Sequence, residues 1–96
     1  MIKVKAKIKL YSGKDGGRKT PFKSGYRPLF QFPGCMKTSG QISLINIEEF
    51  LPEAEGCVEI LFISKEHLGK NFSVGSKFTF GEGFGPIGEG EVLKIF

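Results

Sequence analysis

Several stretches of this 96-residue chain hold residue types that do chemistry in other proteins. Gly13-Lys14-Asp15-Gly16-Gly17-Arg18-Lys19-Thr20 comes within one residue of a phosphate-binding loop. Such a loop needs a glycine where Arg18 stands, so that backbone amides can wrap the phosphates, and a helix opening at the Lys-Thr pair. Pro21 follows Thr20 and biases it toward extended geometry, so no nucleotide site is expected. Gly83-Phe84-Gly85-Pro86-Ile87-Gly88 satisfies G-x-G-x-x-G to the letter. The dinucleotide fingerprint opens a helix, whereas the residues that follow here alternate as a strand does, so a hairpin turn is expected. His67, the sole histidine, has no nucleophile elbow, matched carboxylate pair or metal-spaced cluster to work with. Glu48, Glu49, Glu53 and Glu55 read as a solvated loop. Cys35 and Cys57 form no C-x-x-C and have no neighbouring histidine, which argues against zinc. They read as two small, partly buried thiols in a reducing compartment. These residues together predict no enzyme, no metal and no cofactor, but a protein that works by binding.

Charge is the stronger signal. Residues 1–40 carry ten Lys and Arg against one acid, Asp15, whereas residues 41–96 carry four against nine. A basic half invites a polyanion or an acidic protein surface, or it neutralises the acidic half on folding. Lys3, Lys5, Lys7 and Lys9 form a row with two readings. Lysines protect an edge strand from aggregation, and lysines meet phosphates. Arg18, Lys19, Lys23 and Arg27 extend the second reading.

The elements that must position these groups are short. Ile2, Val4, Ala6, Ile8 and Leu10 alternate with the lysine row, which predicts a half-buried strand. Turn residues from Ser12 to Gly17 end it, and a polar loop closed by Pro21 leads to a second strand near Tyr26–Phe32. A third follows Gly40, with Ile42 and Leu44 on one face. The segment from Asn46 to Glu55 contains Pro52 and predicts a loop or one helical turn. Cys57–Ile63 is apolar on both faces and reads as a central strand. Ser64–Gly69 predicts a short helical turn, and Lys77–Phe80 and Glu89–Phe96 a closing pair joined by glycines. Fourteen Gly and five Pro fit this succession of strands and turns. Six strands in one domain spanning residues 1–96 predict a closed barrel or a sandwich, with no linker and no repeat. The opening residues alternate instead of forming the apolar run of a signal peptide, and nothing is long enough to span a membrane, so a cytoplasmic protein is expected.

The run Gly16-Gly17-Arg18-Lys19-Thr20-Pro21-Phe22-Lys23-Ser24-Gly25-Tyr26-Arg27-Pro28-Leu29-Phe30-Gln31-Phe32 resembles the third, C-terminal domain of bacterial elongation factor Tu. That family writes the segment G-G-R-x-T-P-F-x-x-G-Y-R-P-x-F-x-F. Ser39-Gly40-Gln41-Ile42-Ser43-Leu44 is similar to its T-G-x-I-x-L strand. Phe78–Gly83 and Ile87–Val92 are similar to its closing F-x-x-R-E-G and V-G-x-G-x-V hairpin. The resemblance covers most of the chain and is weakest between about residues 46 and 76. The pattern departs at Leu29, where the family has glutamine, and at Gly81, where it has arginine. Ser39, or Thr38 given a one-residue insertion, stands for its threonine, and Lys65 loosely for a lysine beyond the fourth strand.

The resemblance implies an all-β fold, a six-stranded antiparallel closed barrel, with Phe22, Tyr26, Phe30 and Phe32 supplying core and rim. In the family this domain holds the T-stem backbone of aminoacyl-tRNA, packs on the GTPase domain and meets the exchange factor. The chain has neither the GTPase domain nor the second barrel, so GTP hydrolysis is not expected. Two partners follow. The first is tRNA or another RNA, contacted by the basic residues named above together with Ser39, Glu82 and Gly83. The second is a protein, a GTPase or another translation-related partner, docked through Leu29 and Phe84.

Overall fold

A computed structural model describes residues 1–13, 18–63, 65–83 and 85–96. Six strands form: β1 (Ile2–Leu10), β2 (Leu29–Gln31), β3 (Thr38–Leu44), β4 (Glu55–Phe62), β5 (Lys77–Gly81) and β6 (Pro86–Ile95). Every pairing is antiparallel, and the order β1-β4-β3-β2-β5-β6 closes on itself through β1 and β6. Closure gives every strand two neighbours, so the expectation that the lysines guard an edge is corrected: β1 lies between β4 and β6.

The period-two alternation of β1 does what the pleat requires. Val4, Ala6, Ile8 and Leu10 are buried and face Val58, Ile60 and Phe62 of β4 inside the barrel. Aromatic rings fill the lower half of the core, where Phe30 meets Phe62 edge-on at 5.1 Å and Phe32 meets Phe78 at 5.3 Å. β4 is buried on one face only. Cys57 and Leu61 alternate outward into solvent, which corrects both the doubly buried strand and the partly buried thiol expected at Cys57.

The second strand runs as expected but is interrupted. Tyr26 bridges Ile42 in the same register that pairs Leu29 with Ser39 and Phe30 with Thr38. Pro28, buried and lacking an N–H, breaks the ladder between them. The segment after Asn46 is a loop, held by the reciprocal Phe22–Phe50 backbone bonds of 3.1 and 2.8 Å. The helical turn expected at 64–69 begins on Ser64, outside the described residues. Residues 65–68 form a hydrogen-bonded turn, closed by the Leu68 N–H donating to the Lys65 carbonyl at 3.0 Å. No helix of the described residues is long and apolar enough to cross a membrane.

Candidate functional site

The four lysines of β1 stand on the outer face, and the flanking strands set acids among them. β4 brings Glu59 opposite Lys5 and Glu55 opposite Lys9, while β6 brings Glu91 opposite Lys7 and Glu89 opposite Lys9. Lys3 Nζ lies 3.3 Å from Glu59 Oε1, and Lys7 Nζ lies 3.1 Å from Glu55 Oε1. Such solvent-exposed pairs add little stability. Their effect is on the field, because a phosphate approaching this face meets carboxylates alternating with the ammonium groups. Lys5 has a basic neighbour, Lys94, across the β1–β6 ladder.

Arg18 is partly exposed, and its guanidinium is engaged by the chain itself. Its Nη1 donates to Glu82 Oε2 at 2.7 Å, Nε donates to the Thr20 carbonyl at 3.1 Å, and Nη2 donates to Thr20 Oγ1 at 3.2 Å and the Pro21 carbonyl at 3.3 Å. The guanidinium carbon sits 4.9 Å from the Tyr26 ring centre, and that ring stacks on Phe22 at 4.6 Å. Tyr26 Oη donates to the same Glu82 Oε2 at 2.6 Å. Burial, and then the bond to Glu82, push the Tyr26 phenol well above its ordinary range. Arg18 and Glu82, both expected at an RNA interface, therefore clamp the connection between β1 and β2 to the β5–β6 turn.

That turn is the hairpin expected from the glycine pattern. Gly83 and Gly85 take φ of +111° and +116°, the left-handed region that favours glycine. Position 81 has no room for a side chain, since a Cβ there would run into the Gly85 carbonyl. Directly across the ladder, Leu29 pairs with Gly81 on one side and Ser39 on the other. Leu29 is 39% exposed. It borders a hollow of about 180 Å³ lined also by Lys37, Thr79, Gly81, Gly83 and Pro86. Arg27 is one pair further along the same outer face, its Nη2 donating to Gln41 Oε1 at 2.9 Å. Lys19 and Lys23 are exposed near the upper end. Phe84 and Lys14–Gly17, the heart of the near phosphate loop, lie outside the described residues.

The predicted site residues therefore fall on two faces. β1 and β2 are three strands apart in either direction round the barrel, so Lys3, Lys5, Lys7 and Lys9 point away from Arg27, Leu29 and Ser39. Sequence reasoning did not find a third surface at the lower end, where β1 begins. Lys70, Leu68 and Phe72 meet there in a loop whose residues show no periodic pattern. Among the described residues no three of His, Cys, Asp and Glu come together as a metal site requires. A scan against protein-family models finds no match to the chain.

Proposed function

We propose that this chain is a non-enzymatic protein-interaction module of the cytoplasm, related to the third domain of elongation factor Tu. In this reading it docks a GTPase or another translation-related protein through the β2–β5 face around Leu29. The observation that carries the reading is the interleaving of Glu55, Glu59, Glu89 and Glu91 with the β1 lysines. Together with the internal engagement of Arg18, it sets acids within the β1 row that RNA binding through the basic half would use, which favours the protein partner. Around Leu29, by contrast, an exposed apolar side chain borders a hollow lined in part by Gly81, Gly83 and Gly85, the kind of arrangement that seats a partner's anchor residue.

Binding to folded tRNA tests the choice. An RNA partner held by about three to six phosphate contacts would lose an order of magnitude or more in affinity between about 50 and 200 mM salt. The proposal expects no such binding. It expects the true partner to be lost on Leu29→Asp and to respond weakly to salt.

A further inference from the structure

The lower end of the barrel, where β1 begins and β4 and β6 end, carries two adjoining grooves. One, of about 400 Å³, lies between the Lys65–Phe72 segment and Ile95. The other, of about 490 Å³, lies between the same segment and the β2–β3 connection at Pro33–Cys35. Leu68, Gly69, Lys70 and Phe72 line both, so the two grooves adjoin along this segment and together make one surface, the trough. The floor is apolar: Leu68 belongs to the core at 3% exposure, and Phe72 packs edge-on against Phe32 at 5.4 Å. The walls are basic, with Lys65 on one groove and Lys70 on both, while Lys77 on the second groove stands opposite Glu91 across the β5–β6 ladder. No acidic residue is among the described residues that line the trough.

An apolar floor between ammonium groups is complementary to a chain that alternates carboxylates with apolar side chains. Nucleic acid fits less well, because base binding needs an open aromatic face. Phe72 is half-buried and engaged by Phe32 and Phe62. At the rim, the Phe96 ring already carries Lys3 and Lys94 ammonium groups 5.7 and 5.1 Å from its centre. We infer that this trough is a docking site for an extended acidic segment of a protein partner, with an aliphatic side chain over Leu68 and carboxylates on Lys65 and Lys70. The site is separate from the Leu29 face and makes the module two-sided.

The test uses the whole chain and three labelled probes: a short peptide of alternating glutamate and leucine, its lysine–leucine counterpart, and an oligouridylate of equal charge. Cys35 lines the trough, whereas Cys57 stands exposed on β4, so the two thiols report position. The glutamate peptide is expected to bind, to shield Cys35 but not Cys57 from alkylation, and to weaken at least about tenfold in a Lys65→Glu, Lys70→Glu double variant. Lys65→Gln and Lys70→Gln carry the same test if the reversed variant does not fold. Leu29→Asp should leave this binding unchanged, which keeps failure here distinct from failure at the Leu29 face. Equal binding of the lysine peptide, tighter binding of the oligouridylate, no binding of the glutamate peptide, or an unshielded Cys35 would each overturn the inference.

Discussion

Arg18 and Glu82 are 64 residues apart in the chain and form a 2.7 Å ion pair at the upper end of the barrel. Tyr26 completes the contact, donating a hydrogen bond to Glu82 and presenting its ring face to Arg18. The pair ties the β1–β2 connection to the β5–β6 hairpin. It also takes two groups with the chemistry of an RNA contact and gives them structural work.

Arg18→Ala should therefore act on stability. The pair is partly exposed and screened, but the same guanidinium also donates to Thr20 and Pro21. The substitution should cost about 1–2 kcal/mol in urea denaturation, and Glu82→Gln about 0.5–1 kcal/mol. An unchanged midpoint for Arg18→Ala would mean that the clamp does not hold in solution.

Ile60 is fully buried between β1 and β3, paired with Val4 and Ile42. Ile60→Ala should lower unfolding free energy by about 2–4 kcal/mol, through lost burial and the cavity left behind. A loss below about 0.5 kcal/mol would place the residue outside a packed core.

The Tyr26 phenol gives a pH dependence of known sign. Its folded value is raised above the ordinary 10.0 by burial and by the bond to Glu82. Its stabilisation is complete below pH 10.0, and it is lost as pH climbs through the higher folded value, because the unfolded chain gives up the proton first. Stability should thus fall on the alkaline side of pH 10.0, and Tyr26→Phe should flatten the fall. Phenolate absorbance showing Tyr26 ionising at or below 10.0 would contradict the buried hydrogen bond.

Much of the barrel was legible in the sequence for a physical reason: one buried face imposes period two, and β1 displays it over nine residues. The β5–β6 hairpin was legible because strand-like alternation resumes after its glycines, and Gly83 and Gly85 take the positive φ that a tight turn asks of them. The site was less legible. Charge counted along the chain placed ten basic residues in one half, but strand pairing sets Glu55 and Glu59 beside the lysines of β1, and no local pattern announces that register. Leu61 and Cys57 misled for a related reason, since an apolar residue on an outer face reads like one in a core. The trough at Leu68 and Lys70 escaped notice because its lining comes from segments far apart in sequence.

The balanced face on β1 can be unbalanced. Glu55→Lys with Glu59→Lys removes the partners of Lys7 and Lys3 and makes β1 basic along its β4 side, with Glu89 and Glu91 remaining on the β6 side. The double variant should gain non-specific RNA binding that weakens steeply with salt, where the parent shows none. Salt-dependent binding of the same strength in both proteins would show that the glutamates do not screen the row.

The central claim is that the Leu29 face meets a protein. A photo-crosslinking amino acid placed at position 29 tests it most directly, since Leu29 is exposed beside the Gly81 hollow and its replacement leaves the core untouched. After irradiation in cells, the account predicts a discrete adduct that resists nuclease and disappears on protease treatment. It also predicts no adduct at that mobility from a probe placed on the opposite face at Lys5. An adduct at position 29 that nuclease removes, carrying RNA in place of protein, would contradict it.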